Sequence, residues 1–229
     1  MSRPQAVLLD FYGTVVEEDD QQIRQICVEI SDTSSQPVDP HTVGSYWSDL
    51  FSHLCTVSVG PSFATQRALE RQSLQETILH FGSVADEETL SKQMFAYWRQ
   101  PTLFQEATAF LSEIAQPVCI VSDIDRADIE AAISHHGIGV DLIVTSEDAR
   151  AYKPRPEPFR LALGRLGLQP DQVLHIGNSP SCDVAGATSL GIPVAWLNRK
   201  GKERPQQTHV AYEAPNLLAI HRILADAVD

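Results

Sequence analysis

The stretch AVLLDFYGTVVEEDD, residues 6–20, decides the fold. Four apolar residues, 6–9, run without interruption into Asp10, and an aromatic residue, a glycine and a threonine follow. Such a run is typical of a strand that is buried on both faces of a parallel sheet. A carboxylate where this strand ends lies at the edge of the sheet where open α/β folds bind their ligands. The stretch therefore predicts a central strand that carries Asp10 into a ligand site.

Residues 17–100 show helical spacing and no strand. Apolar residues recur at i, i+3, i+4 and i+7 in four segments, of which the first contains Ile23, Ile26, Cys27 and Ile30. Segments rich in glycine, proline and serine separate the four. This part of the chain is predicted to be a small bundle of four helices.

Strands and helices alternate in residues 101–229. Strands are predicted at 117–122, 142–146, 172–177 and 192–198, and helices at 105–115, 126–136, 157–166, 181–190 and 215–227. The alternation predicts a doubly wound, mostly parallel sheet of the α/β class, which the strand at 6–9 joins. Residues 1–16 and 101–229 would then form the core domain. Residues 17–100 would form an all-helical cap inserted into it.

Composition narrows the range of partners. The net charge is −13, with 30 acidic against 17 basic residues, which disfavours nucleic acid as a ligand. No apolar run approaches the length of a membrane span, and no secretory signal pattern is visible. The four cysteines are scattered without a CxxC pair, as expected for reduced thiols in a cytoplasmic protein. We expect a small-molecule substrate, and the oligomeric state stays open.

Polar residues follow each predicted strand. They are Asp10, Ser122, Asp123, Lys153, Asn178 and Asp183. Because the carboxyl ends of parallel strands meet at one edge of a sheet, these residues are expected to converge.

This arrangement resembles the haloacid dehalogenase superfamily of aspartyl-nucleophile hydrolases, in particular its members with a helical cap. The likeness is carried by LLDFYGTVV (8–16), VSD (121–123), YKPRPEPF (152–159) and HIGNSPSCDVAGATSLGIP (175–193). These four motifs stand in the family's order, with the helical segment between the first and the second. The resemblance spans nearly the whole chain.

The resemblance implies a role for each matching residue. Asp10 would be the covalent nucleophile, and Lys153 would orient it and offset anionic charge. Thr14 and Ser122 would supply hydroxyl groups to the nucleophile or the substrate, and Tyr12 completes the catalytic set. The loop that contains Phe11 and Gly13 would offer backbone N–H groups to the substrate anion.

A magnesium site is implied for the phosphatases of the family. Its ligands here would be Asp10, the backbone carbonyl of Tyr12, Asn178 and Asp183. Asn178 stands where an acid is usual, and an amide lacks the negative charge that Mg²⁺ prefers.

Two motifs point to different reactions. Tyr12 replaces the second aspartate of the phosphatases, and D-x-Y-G-T is the stretch seen in the family's dehalogenases. Halide leaves without a proton, so a second acid is unnecessary in that reaction. The interval between Asn178 and Asp183 matches the phosphatases instead, because the dehalogenases place these two residues closer together.

Three further features leave alternatives open. Asp123 stands where the family commonly has asparagine, so it either offsets the change at Asn178 by sharing an ion or a lysine with it, or caps the helix that follows. Arg67 is the cap arginine that would reach the substrate, although an arginine on a surface helix is the commoner case. The acidic run at 17–20 is interpreted as the N-terminus of a helix.

The favoured interpretation is a Mg²⁺-dependent, phosphatase-type hydrolase of a small phosphate ester or acyl phosphate. The alternative is a metal-independent 2-haloacid dehalogenase that uses the same Asp10. A second alternative is a catalytically weak binding or regulatory protein on the same fold.

Overall fold

A six-stranded, fully parallel sheet forms the centre of the computed structural model, which describes residues 3–204 and 210–226. The strand order is β3-β2-β1-β4-β5-β6. The strands are β1 (Ala6–Leu9), β2 (Val118–Ser122), β3 (Leu142–Thr145), β4 (Val173–Gly177), β5 (Val194–Leu197) and β6 (Tyr212–Ala214). The predicted α/β, doubly wound class is confirmed.

Strand β1 lies in the middle of this sheet, as its apolar run predicts. Leu8 pairs with Cys119 of β2 on one side and with His175 of β4 on the other. All four residues of β1 are buried, and alternate side chains enter different hydrophobic clusters. Val7 and Leu9 belong to one cluster and Ala6 and Leu8 to the other. Neither face of β1 is therefore exposed to solvent.

Helices cover both faces of the sheet. They are α5 (Ala107–Glu113), α6 (Arg126–His136), α7 (Ser146–Ala149), α8 (Glu157–Leu166), α9 (Ala185–Thr188) and α10 (Leu217–Asp226). Buried side chains of α5, α6 and α10 join Val7 and Leu9, whereas those of α8 and α9 join Ala6 and Leu8. This two-sided cover is the doubly wound arrangement.

Four helices lie between β1 and β2, where the periodicity predicts them. They are α1 (Asp20–Asp32), α2 (Pro40–Val57), α3 (Gln66–His80) and α4 (Glu87–Arg99). The Trp47 indole N–H of α2 donates to the hydroxyl of Ser73 in α3 at 3.0 Å, inside the bundle. The division into a core and a cap at residues 17–100 stays a prediction. No helix of the described residues is long and apolar enough to span a bilayer.

The structure differs from the sequence prediction in three segments, of which the first is the short, unpredicted helix α7 (Ser146–Ala149). Strand β6 has three residues, too few to show an alternating pattern, and was not predicted. The helix expected at 181–190 is a turn of π-helix at Pro180–Val184 followed by the short α9. Pro180 lacks an N–H group and Gly186 lowers helix propensity, which explains the shortened helix.

Gly186 allows a close approach that holds the Lys153 loop against the core. A Cβ atom added there would lie 2.5 Å from the Phe159 ring and 3.1 Å from the Cα of Pro154. We expect Gly186→Ala to lower the free energy of unfolding by about 1–3 kcal/mol, because the buried ring has no room to move.

Gly164 is the matched control. It lies in α8, is exposed, and has open space where a Cβ would be added. Gly164→Ala should raise the free energy of unfolding by about 0.5–1 kcal/mol, because alanine favours the helix. Urea titrations of the two variants test the packing, and equal effects of both would contradict it.

Candidate active site

The carboxyl ends of β1, β2 and β4 open into one cavity of about 330 Å³. Asp10 follows β1, Ser122 ends β2 and Asn178 follows β4, and all three line this cavity together with Lys153 and Asp183. The convergence that the sequence predicts is therefore present. We call this the Asp10 cavity.

Lys153 joins the two carboxylates of the cavity. Its Nζ donates to Oδ1 of Asp10 and to Oδ1 of Asp183, both at 2.7 Å, and to the Val121 carbonyl at 3.2 Å. An ammonium group has three N–H donors, so all of them have acceptors. Although burial alone would lower it, the pKa of Lys153 lies well above its ordinary value because Asp10, Asp183 and Asp123 surround it. Lys153 is a permanent cation here.

Asp10 is held at both oxygens. Lys153 binds Oδ1, and the Thr14 hydroxyl donates to Oδ2 at 2.9 Å. Burial and the charge of Asp183 raise the pKa of Asp10 to about 6, while Lys153 acts in the opposite direction. The group is thus ionised above this pH, as a nucleophile must be.

Asp183 is anchored by residues that the sequence analysis did not include. His175 Nε2 lies 3.1 Å from Oδ1, and the Ser179 N–H donates to Oδ2 at 2.9 Å. Lys153 and His175 hold the pKa of Asp183 below its ordinary value despite its burial. His175 is fully buried within β4, and a histidine inside an otherwise apolar strand was the signal that could have identified it.

The residues predicted to bind Mg²⁺ do not fit that ion as arranged. Both oxygens of Asp183 are engaged by Lys153, His175 and the Ser179 N–H. Asn178 Nδ2 donates to Oε1 of Glu18 at 2.8 Å, and its Oδ1 lies 3.5 Å from the Thr14 hydroxyl. Within residues 3–204 and 210–226, no group of three or more His, Cys, Asp or Glu side chains is placed to hold a metal. The magnesium site stays a prediction without geometric support.

Tyr12 lines the Asp10 cavity, but its hydroxyl is committed elsewhere. It donates to the backbone carbonyl of Trp98 in α4. Burial, with Asp128 and Asp19 nearby, raises the pKa of Tyr12 far above its ordinary value. A phenol held in this way is a poor proton donor to a leaving group.

The loop around Tyr12 places Phe11 in the core and uses the Gly13 N–H group within the loop itself. Phe11 is fully buried, and the Gly13 N–H donates to the Val16 carbonyl at 2.7 Å. Gly13 has φ +82°, and the Asn178 amide lies 2.2 Å from where a Cβ would stand. Glycine is needed at this position for both reasons. Neither Phe11 nor Gly13 lines the Asp10 cavity, and their contact with substrate stays a prediction.

Asp123 lines the cavity and does not cap a helix. Its Oδ1 accepts the Lys153 backbone N–H at 2.9 Å, whereas Asp125 stands at the N-cap position of α6. The capping alternative is therefore wrong. Asp123 and Asn178 share no hydrogen-bond partner, so the offset hypothesis gains no support. Burial raises the pKa of Asp123 to about 6.

Arg67 does not reach the Asp10 cavity. Its guanidinium binds both oxygens of the buried Asp128 at 2.6 Å and lies over the Phe95 ring. The Asp125 carboxylate meanwhile accepts the N–H groups of Gln66 and Arg67 at the start of α3. The expectation of a substrate-binding arginine is corrected, because a buried carboxylate of α6 competes for this cation. Arg67 fastens α3 to α6 instead.

The acidic run at 17–20 does more than begin a helix. Asp20 lies in the first turn of α1 as expected, but Glu18 and Asp19 line the Asp10 cavity as well. Glu18 binds Asn178 and also Lys200, and Asp19 accepts the Trp98 indole N–H at 2.8 Å. Nothing in a run of four acidic residues distinguishes one that binds Asn178 from one that binds Trp98, so the sequence did not predict these contacts.

A second, smaller cavity of about 190 Å³ lies among the cap helices, and we call it the Glu70 cavity. It shares Asp19 and Gln66 with the Asp10 cavity. Glu70, in α3, is 5% exposed, and burial and the nearby Asp19 raise its pKa to about 8. No pattern in the sequence distinguished Glu70 from the other acids of the cap.

Comparison with known proteins identifies the family of this chain. The haloacid dehalogenase-like hydrolase family matches residues 4–191, and the chain belongs to it. It is therefore a hydrolase of this family. The (S)-2-haloacid dehalogenase H-109 of Pseudomonas putida is 26% identical over 203 residues, which cover 86% of this chain and 87% of that protein. A phosphoserine phosphatase of Thermus thermophilus is 30% identical over 137 residues, covering 56% and 53%.

Solved structures show the same fold. The L-2-haloacid dehalogenase of Xanthobacter autotrophicus superposes with a TM-score of 0.76 at 20% identity, over 97% of this chain and 98% of that one. A defluorinating L-2-haloacid dehalogenase gives a TM-score of 0.76 at 22% identity, over 97% and 95%. At these identities the likeness concerns the fold alone.

Glu70 should make stability depend on pH. Between its unfolded pKa of 4.5 and its folded pKa of about 8, the folded state keeps a proton that the unfolded state loses. Stability is therefore lost as pH rises through this window. We expect Glu70→Gln to raise the free energy of unfolding by roughly 2–5 kcal/mol at about pH 8.5, with little effect at about pH 4.5.

Urea titrations at the two pH values measure this difference. Glu76→Gln is the control, because Glu76 lies exposed on the same helix and should show no such dependence. A difference between wild type and Glu70→Gln that is the same at both pH values would contradict the burial of a titrating carboxyl group.

Proposed function

We propose that the protein is a metal-independent hydrolytic dehalogenase of small 2-haloacids, with Asp10 as the nucleophile. One observation carries the proposal. The residue two places after the nucleophile, Tyr12, has its hydroxyl committed to the Trp98 carbonyl, so it offers no proton to a leaving group. Halide needs none, whereas the alkoxide of a phosphate ester does. The similarity to (S)-2-haloacid dehalogenases supports the same reaction.

The first step is a displacement at the carbon that bears the halogen. An oxygen of the Asp10 carboxylate attacks this carbon, the new C–O bond forms, and halide leaves with the electron pair of the C–X bond. Lys153 and Thr14 fix the carboxylate in place for the attack. Holding the nucleophile in one orientation lowers the entropy cost of the step.

The second step hydrolyses the resulting ester. Water attacks the aspartyl carbonyl carbon as the base takes one of its protons, and the bond between that carbon and the ester oxygen breaks. The departing alkoxide takes up a proton and leaves as the 2-hydroxy acid, one proton is released to solvent, and Asp10 is regenerated as a carboxylate. Asp123 is the base in this proposal: it lines the cavity, and its pKa of about 6 suits proton transfer near neutral pH. Its Oδ1 is occupied by the Lys153 N–H, which leaves Oδ2 for the water.

The first experiment measures halide release from the two enantiomers of 2-chloropropionate in EDTA. We expect release by the wild type and at least about a thousandfold less from Asp10→Asn, because an amide is not a nucleophile here. Heavy-oxygen water should label Asp10 during turnover. No release by the wild type at high enzyme concentration would overturn the proposal.

The role of Asp123 has its own test. Asp123→Asn should release a burst of halide equal to the enzyme concentration and then turn over slowly, because the ester forms but is not hydrolysed. Intact-protein mass spectrometry would detect the ester. A variant that loses the burst together with the steady rate would show that Asp123 serves the first step instead.

Hydrolysis of an acyl phosphate is the second candidate. The five-residue interval between Asn178 and Asp183 favours it, and phosphatases are among the relatives. An acyl phosphate has a good leaving group and so tolerates Tyr12. Phosphate release from acetyl phosphate, with and without Mg²⁺, distinguishes this activity from dehalogenation.

A further inference from the structure

The Glu70 cavity combines carboxylates with aromatic and aliphatic walls. Asp19, Gln66 and Glu70 supply its polar surface, and Ile23, Trp47 and Phe51 supply its apolar surface. It adjoins the Asp10 cavity, since Asp19 and Gln66 belong to the walls of both. Asp19 and Gln66 are thus the boundary that a substrate bound at Asp10 has to pass to reach the Glu70 cavity.

Glu70 is an unsatisfied acid within this cavity. Its Oε1 is inaccessible to solvent and has no hydrogen-bond partner among the described residues. Gln66 Oε1, on the same wall, also lacks a partner in that part of the chain. Buried polar groups are nearly always hydrogen-bonded, and one that is not requires an explanation such as a missing ligand. Both residues line the Glu70 cavity, so a donor bound there would lie beside two side chains that each carry an unpartnered acceptor atom.

The charges of both cavities favour a cation as this donor. Six carboxylates line the Asp10 cavity, namely Asp10, Glu18, Asp19, Asp20, Asp123 and Asp183. Glu70 adds a carboxyl group that keeps its proton near neutral pH until a cation binds beside it. Among the described residues, Lys153 is the only cation in these walls, and Asp10 and Asp183 already engage it. An anionic substrate enters a strongly repulsive space unless it also brings a positive charge.

The walls distinguish between kinds of cation. Mg²⁺ demands oxygen ligands or water on all sides, which the ring of Trp47 and the side chains of Ile23 and Phe51 do not offer. An ammonium group accepts carboxylate and amide oxygens on one side and aromatic faces on the other. Its alkyl chain also contacts apolar walls favourably.

We propose that the Glu70 cavity binds the ammonium group of a zwitterionic substrate whose reacting carbon lies at Asp10. The assignment of the reacting carbon rests on the proposed function, whereas the binding of an ammonium group at Glu70 does not. Asp19 supplies negative charge, and the ammonium group favours the ionised form of Glu70 once it is bound beside it. Gln66 Oε1 accepts a hydrogen bond, and Trp47 and Phe51 enclose the alkyl chain. The substrate class is then a small haloacid that carries an amino group at the far end of its chain.

Calorimetry with n-butylammonium chloride tests the cavity without any turnover. We expect the wild type to bind the amine and Glu70→Gln to bind it at least about tenfold more weakly, since a charged hydrogen bond is lost. 1-Butanol, which has a similar shape and no charge, should not bind detectably. Glu76→Gln, the exposed control on α3, should bind the amine as the wild type does.

Equal amine binding by the wild type and Glu70→Gln would overturn the site, and so would equal binding of amine and alcohol. We expect this variant to fold, because Gln keeps the volume of Glu and the Glu70 carboxyl group is uncharged in the free protein near neutral pH. Urea titration of the same samples verifies that the variant is folded.

Halide release then tests whether the occupant is the substrate. The probes are 2-chloro acids of increasing chain length that end in an ammonium group, each paired with the methyl-ended isostere. We expect the wild type to prefer one ammonium-ended acid through a lower KM, and Glu70→Gln to lose about tenfold of that preference. Amine binding without any such preference would overturn the assignment to substrate. Absence of all halide release would overturn the proposed function alone, because calorimetry reports on the cavity independently.

Discussion

The buried ammonium of Lys153, placed between Asp10 and Asp183, is the interaction on which the site depends. Removing three charges from water costs free energy, and their mutual attraction offsets this cost only when their donors and acceptors are hydrogen-bonded. The three charged groups meet that condition: Lys153 has three acceptors, Thr14 holds the second oxygen of Asp10, and His175 and the Ser179 N–H hold Asp183. One atom at the edge of the network, Nδ1 of His175, has no partner among the described residues. Without this cation, burial and the charge of Asp183 would leave Asp10 protonated, and it could not act as a nucleophile.

The same ionic group explains why the predicted metal ligands are already occupied. Asp183 accepts hydrogen bonds from Lys153 and from the Ser179 N–H, while the Asn178 side chain donates to Glu18. Lys153 places a positive charge beside the nucleophilic carboxylate, where a divalent cation would also be stabilised. The excess of acids around this group is left uncompensated, and this excess favours a substrate that carries a positive charge.

The hydrogen bonds and the ion pair that join α3 to α6, which we call the joint, connect the helices between β1 and β2 to the Asp10 cavity. Asp125 accepts the first two N–H groups of α3, the Thr65 hydroxyl accepts a third, and Arg67 binds Asp128. A helix start that is satisfied by a carboxylate from another element is fixed in direction as well as stabilised. Because Gln66 and Glu70 lie one turn apart on α3, this joint decides which cap residues face the Asp10 cavity.

The sequence by itself determined the central strand, the alternation of strands and helices, the four helices before β2, and the convergence of Asp10, Ser122, Lys153, Asn178 and Asp183. These features depend on periodicity and on the rule that parallel strands end at one edge, both of which are local or topological. Only the tertiary structure decided that Arg67 binds Asp128, that Tyr12 donates to Trp98, that Glu18 reaches Asn178, and that Glu70 lines a buried cavity. These are long-range pairings, in which several carboxylates compete for few cations, and the outcome depends on distances and burial that no spacing along the chain encodes.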